Sequence, residues 1–156
     1  MHGWKIYHRR LGTFENLLKR GIISNLKYFP FCELYLETEG HIFFHCFIAK
    51  SLIIEIAKWW NIPPPGYMLE SIFSWGETNN LEGDSLHIFK ATILTYFWQF
   101  WKTRNELVHD KKKDSIERML ILIQGLALFW INSRKKLFRS LDWPSWVCSP
   151  SSFSPL

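Results

Sequence analysis

Apolar residues recur at helical spacing along most of this chain, and the stretches between them are short and polar. Phe14, Leu17 and Leu18 make the first stripe. Thr13 can cap it, Lys19 and Arg20 suit the C-terminal end of a helix dipole, and Gly21 is a stop, so Leu11–Arg20 reads as a short helix. Asn25–Glu39 has no helical period and reads as a loop. A second helix is predicted to open at His41–Cys46 and run through Ala49, Leu52, Ile53, Ile56, Trp59 and Trp60. It should end before Asn61-Ile62-Pro63-Pro64-Pro65-Gly66, where proline removes the donors a helix needs. A short helix over Met68–Trp75 and a loop over Gly76–Gly83 follow. Asp84 or Ser85 then caps a long helix with Leu86, Phe89, Ile93, Phe97 and Phe100 on one stripe, widened by Leu94, Trp98 and Trp101. After a basic turn at His109–Lys113, Asp114 and Glu117 form a capping-box pattern for a final helix through Ile116, Leu120, Ile123, Ala127, Trp130 and Leu137. Strand signals are weak apart from a short hairpin admitted around residues 28–46.

The predicted class is therefore mainly α, a small helical domain with a short zinc-knuckle-like loop near the N-terminus. At 156 residues the chain fits one domain. The expected division is a domain over 1–147, with the loop at 28–46 and a helical remainder at 47–140, then a Ser- and Pro-rich disordered tail at 148–156. An apolar fraction of 47% and an aromatic fraction of 17% exclude a disordered chain. Nine Trp and thirteen Phe exceed what a core this size needs, which points to contact with a partner or a neighbouring domain, although all could be core. The longest near-apolar run, Met119–Ile131, has 13 residues and is broken by Gln124 and Gly125. A membrane span needs about 20, so no membrane partner is expected. The first ten residues carry no apolar signal core, and three Cys is an odd count, so an intracellular, reducing setting with unbridged thiols is expected.

The net charge of +5 is unevenly placed. Residues 1–28 and 98–139 are basic, and the middle of the chain is acidic. Such asymmetry marks either a nucleic-acid surface or a set of solvated helix faces. The candidate phosphate contacts are Lys102, Arg104, Lys111, Lys112 and Lys113. Trp98 and Trp101 on the same helix could stack on bases. A purely structural reading stands beside this one, with both Trp in the core and Arg104 and Asn105 organising the helix end. Asp84, Ser85 and His87 are neighbours in sequence, but no nucleophile elbow frames them.

The chemistry-bearing pattern is Cys32 to Cys46. Eight residues separate Cys32 from His41, and four separate His41 from Cys46. Thiolate and imidazole at such spacing suit a zinc ion, which prefers four tetrahedral ligands. A cysteine three positions before Cys32 would complete a C-x-x-C pair, but Phe29 stands there. The candidate ligands are Cys32, His41 and Cys46. The fourth stays open among His45, His8 and Cys148. Buried structural thiols are the alternative.

Several blocks together carry a resemblance. Glu37-Thr38-Glu39-Gly40-His41-Ile42-Phe43-Phe44-His45-Cys46 resembles the "E-S-x-x-H-L-F-x-x-C" core of the reverse-transcriptase zinc-binding domain of plant non-LTR, LINE-type retrotransposon proteins. Trp4-Lys5, Arg10-Leu11-Gly12-Thr13 and Asn16-Leu17-Leu18-Lys19-Arg20-Gly21 look like that family's approach to the knuckle. Trp98-Gln99-Phe100-Trp101-Lys102-Thr103-Arg104-Asn105 looks like its "W-x-x-W-K-x-R-N" helix, and Trp130-Ile131-Asn132-Ser133-Arg134 and Trp143-Pro144-Ser145-Trp146 like its closing segments. The blocks cover roughly residues 4–150. The departures are Phe29 for the first Cys, Gly12 for a usual Pro, and His109 for a common aromatic. The resemblance implies a non-catalytic accessory module that holds RNA or DNA, works beside other retroelement protein domains, and binds zinc in impaired form. The paired aspartates of a polymerase and the carboxylate set of an RNase H are not found, so no enzyme activity is expected. A protein-interaction module or a non-functional retroelement fragment are the alternatives.

Overall fold

The computed structural model, whose description covers residues 11–134 and 141–152, is mainly helical. Helix α1 spans Phe14–Lys19. The Thr13 hydroxyl caps it by accepting from the Asn16 N–H at 3.3 Å, and Gly21 leaves it at φ 71°, a conformation that glycine adopts without strain. Residues 27–37 then double back on themselves. The Phe29 N–H donates to the Tyr35 carbonyl at 2.9 Å and the Glu37 N–H to the Lys27 carbonyl at 3.1 Å. The admitted hairpin thus shrinks to one antiparallel bridge, Tyr28 to Leu36.

The helix expected to run unbroken from His41 is interrupted. His41–His45 is a π-helical turn, Cys46 is extended (ψ 139°) and serves as N-cap, and α2 spans Phe47–Trp60. Asn61 closes α2 in the left-handed region at φ 51°, just ahead of the prolines. Two short helices follow, α3 at Leu69–Phe73 and α4 at Trp75–Thr78, so part of the expected 76–83 loop is helical. The long helix α5 spans Gly83–Asp110, with Glu82 rather than Asp84 or Ser85 at the cap position. Its run to Asp110 contracts the basic turn to Lys111–Lys113. Helix α6 spans Ile116–Ser133. Its N-cap is Ser115, whose hydroxyl accepts from the Arg118 N–H at 3.2 Å, while Asp114 pairs with the Arg118 guanidinium at 2.9 Å. Leu137 lies outside the described residues.

Residues 141–152 depart most from expectation. Helix α7 spans Trp143–Cys148, with Pro144 in its first turn and Asp142 as N-cap. The Ser145 N–H and hydroxyl hold the Asp142 carboxyl below the usual carboxylate range. Pro150–Ser152 form a 3-10 turn against α2, α5 and α7. The tail expected to be disordered from 148 is instead helical at Cys148 and over Pro150–Ser152, with Pro150 buried and Cys148, Ser149 and Ser151 exposed, and 153–156 lie outside the described residues. Trp146 is the reason. It is 0% exposed, donates from Nε1 to the Gln124 carbonyl at 2.9 Å, and meets Trp59 edge-on at 4.9 Å.

The core lies where α5 and α6 form a hairpin and α2 packs on α6. Trp60, Phe89, Phe97, Phe100, Met119 and Ile123 are all buried in it. By length and composition α6 could cross a membrane; here Met119, Ile123, Ala127 and Ile131 make a buried stripe, and the helix packs on α5 and α2.

Candidate metal centre and the loop that carries it

Two carboxylates, Glu37 buried and Glu39 half-buried, position the loop before any ligand is considered. Glu37 has no exposed surface. Its Oε2 accepts from Arg104 Nε at 2.8 Å, its Oε1 from Arg104 Nη2, and Oε1 also from the Phe14 N–H at 3.3 Å. Glu39 Oε1 accepts from Asn16 Nδ2 at 2.7 Å and from the Leu11 N–H at 3.1 Å. Thr38, between them, takes the His41 N–H on its hydroxyl at 3.0 Å. The run Glu37-Thr38-Glu39 thus ties the loop to α1 and α5 and aims the turn that bears His41. On the far side of that turn the buried Tyr96 hydroxyl donates to the Phe43 carbonyl at 2.7 Å, and burial pushes its pKa well up.

The donor atoms of Cys32, His41 and Cys46 all lie within 4.8 Å of one another. Cys32 Sγ is 3.2 Å from His41 Nε2. Cys46 is buried, and Cys32 and His41 are half-buried. These side chains lie close enough to hold a metal ion. Each arrives by a local device: Cys32 by the turn after Phe29, His41 by the Thr38 cap, Cys46 by its extended backbone. Burial lowers the His41 pKa, with the charges of His45 and Lys50 adding to it. Burial also pushes the Cys46 thiol up. A neutral imidazole is therefore favoured, while Cys46 gives up its proton only to a strong competitor such as a metal ion.

Phe29 occupies the turn where a fourth ligand would be sought. Its carbonyl accepts from the N–H groups of Cys32 at 3.3 Å and Glu33 at 2.8 Å. Its ring is 0% exposed, stands edge-on to His41 at 5.7 Å and stacks on Phe100 at 6.2 Å. It is a core anchor joining the loop to α5. Neither His45 nor Cys148 belongs to the ligand group, and both are exposed, Cys148 at the end of α7. His8 lies outside the described residues.

The candidate nucleic-acid residues separate into three. Arg104 is corrected: at 6% exposure its guanidinium is taken up by Glu37 and presents no charge outward. Lys102 is exposed and lies 3.7 Å from the Glu106 carboxylate, one helical turn on. Lys111, Lys112 and Lys113 are exposed in the α5–α6 turn, and Lys113 Nζ donates to the Phe31 carbonyl at 3.4 Å, which sets that turn against the loop. Trp101 is 9% exposed and Trp98 half-buried, so the structural reading of this pair holds for Trp101. Sequence reasoning missed Glu37 and Glu39 as anchors. The signal was their place beside the His41 motif, with Arg104 in a separate block able to answer one of them.

Comparison with protein-family models, with curated proteins and with solved structures returns no match.

Proposed function

We propose that this chain is a non-catalytic nucleic-acid-binding module of the kind the reverse-transcriptase zinc-binding domain exemplifies, with a zinc site reduced to three protein ligands. The observation that carries the reading is the approach of Cys32, His41 and Cys46 to within 4.8 Å of one another. Zn–S bonds of about 2.3 Å and Zn–N bonds of about 2.0 Å put tetrahedral ligand atoms about 3.5–3.8 Å apart. A shift of roughly 1 Å would bring the three onto one ion. The ion would supply a cross-link between the 27–37 loop and the start of α2, and no reaction. Phe29 offers no lone pair, so water would fill the fourth place and affinity would fall below that of a closed four-ligand site. An intracellular, reducing location accords with this, because Cys32 and Cys46 must remain unbridged to bind.

Binding to RNA or DNA would rest on backbone charge, with Lys111, Lys112 and Lys113 beside the loop as the contacts, and other domains of a retroelement protein as neighbours. Titration of single-stranded RNA at about 50 and about 200 mM salt tests it. Affinity should fall steeply, with a log–log slope near −0.7 per neutralised phosphate, and binding that ignores salt would sink the reading. A protein-binding face is the second reading, favoured by the exposure of Ile23 (92%) and Leu18 (57%). Absence of RNA binding at low salt would select it.

A further inference from the structure

Two of the three candidate ligands are thiols, and their settings differ. Cys46 is 1% exposed, and its backbone is held on both sides. Its N–H donates to the His41 carbonyl at 2.9 Å, and its own carbonyl accepts from the Lys50 N–H at 2.9 Å. Cys32 is half-buried and sits in a turn closed by longer contacts, with its N–H 3.3 Å and its Sγ 3.8 Å from the Phe29 carbonyl. The two sulfurs lie within 4.8 Å of each other. They also sense each other: burial raises the Cys46 pKa, and the neighbouring Cys32 adds to the rise. A disulfide needs its sulfurs about 2.05 Å apart, so closure asks for a shift of under about 3 Å, on the scale of one side-chain rotamer change. Cys148, the third thiol, is exposed at the end of α7 and stands outside this group.

We propose that Cys32 and Cys46 form a peroxide-sensitive dithiol, which closes to a disulfide and thereby excludes zinc. The dithiol stands without the metal reading above; its competition with zinc rests on that reading. Cys32 is the sulfur an oxidant reaches first, because Cys46 is covered. Its thiol takes an oxygen atom from hydrogen peroxide: the O–O bond breaks, an S–O bond forms, and one water leaves, giving the sulfenic acid. Cys46 Sγ then attacks the Cys32 sulfur. The S–O bond breaks, an S–S bond forms, and the hydroxide departs with the Cys46 proton as a second water. The two thiols lose two electrons in all, and one peroxide becomes two waters. His41 Nε2, 3.2 Å from Cys32 Sγ and within 4.8 Å of Cys46 Sγ, stands where it can carry both protons. Disulfide and zinc each tie the 27–37 loop to the start of α2, and they draw on the same two sulfurs, so only one can hold at a time. Phe29 sharpens the choice. With two thiols in the group, a single bridge consumes both, and no further sulfur is left there to keep zinc. Cellular thiols reopen the bridge by exchange.

The unaltered chain carries the first test. Metal-free full-length protein is treated with an equimolar amount of hydrogen peroxide, free thiols are blocked, and the intact mass is read with and without reductant. The protein should lose two hydrogen atoms and two blockable thiols, and reduction should restore both. Glu33, Glu37 and Glu39 lie between the two cysteines, so cleavage after glutamate should leave their fragments joined until reduced. Cys148→Ser should behave as the parent does. On that background Cys46→Ser should stop at a Cys32 sulfenic acid that dimedone labels, whereas Cys32→Ser should show neither label nor bridge. Zinc at about ten times its dissociation constant leaves about one site in eleven free, so bridging should slow about tenfold. A parent that keeps all its thiols, is oxidised past the sulfenic acid, or bridges through Cys148 overturns the dithiol and leaves the three-ligand site standing. A Cys32–Cys46 bridge whose rate zinc does not change upholds the dithiol and overturns the competition, and the three-ligand reading with it.

Discussion

Replacing Arg104 with alanine should destabilise the whole fold while leaving the RNA affinity of the folded protein unchanged. Arg104 is 6% exposed and Glu37 is fully buried. With the guanidinium gone, the carboxylate keeps the Phe14 N–H, a long donor at 3.3 Å, and no opposite charge. Stranding one member of a buried ion pair costs about 3–5 kcal/mol. Against a typical domain stability of about 5–15 kcal/mol that is a large fraction. In a chain of this size each kcal/mol lowers Tm by roughly 2–4 °C, so a fall of about 6–20 °C is expected. The stacking of Arg104 over Trp101, at 5.0 Å, adds a smaller loss. Urea unfolding followed by circular dichroism measures the cost. The double variant Glu37→Gln with Arg104→Met removes both charges and should recover part of it, because neither partner is then left charged and unpaired. A single variant within about 0.5 kcal/mol of the parent would refute the reasoning. So would an Arg104→Ala protein of intact stability that no longer binds RNA, since that would return the residue to the surface set.

Three further outcomes follow from named contacts. Trp60 Nε1 is a buried donor without a partner among the described residues, whereas Trp146 Nε1 donates to the Gln124 carbonyl at 2.9 Å. Trp146→Phe should therefore cost more than Trp60→Phe by about 1–3 kcal/mol in denaturant melts, and the reverse order would contradict the assignment. A β-carbon on Gly76 would sit 2.7 Å from a Leu86 methyl and 3.0 Å from the Phe89 ring, so Gly76→Ala should lose about 1–3 kcal/mol by overpacking; a neutral effect would show that α4 and α5 have room to part. Burial holds His41 below its ordinary value near 6.5, so between the two values the unfolded chain binds more protons than the folded one. The metal-free protein should keep this contribution above about pH 6.5 and lose it as pH falls through the lowered value; a denaturation midpoint that rises on acidification from pH 7 would be inconsistent with it.

The sequence is most legible where structure is local. The stripes Phe89–Ile93–Phe97–Phe100 and Ile123–Ala127 foretell α5 and α6 because a helix repeats its own pattern. The candidate ligand triad is legible for the same reason: Cys32, His41 and Cys46 are near neighbours in sequence, and short turns bring them together. Three features are hidden. Arg104 reads as an exposed cation until its partner, 67 positions away, is known. The break at Cys46 interrupts an apolar run whose pattern continues across it, and only the extended backbone of the residue itself shows it. Helix α7 has six residues, too few for a period, and is held by Trp146 against α2 and α6 rather than by its own propensity. Phe29 reads in sequence as a missing ligand; in the structure it is a fully buried core residue, which only its packing reveals.

The most direct test of the three-ligand site is X-ray absorption at the zinc edge, on the zinc-loaded chain and on its Phe29→Cys variant, with metal content measured on each as purified. The parent should carry less than one equivalent. When loaded, it should show two sulfurs at about 2.3 Å and two light atoms at about 2.0–2.1 Å, one from His41 and one from water. The Phe29→Cys protein should gain a third sulfur and higher occupancy, though its metal-free form melts earlier for want of the buried ring. A parent with full occupancy and three sulfurs, or one whose bound zinc shows no sulfur at all, would contradict the site.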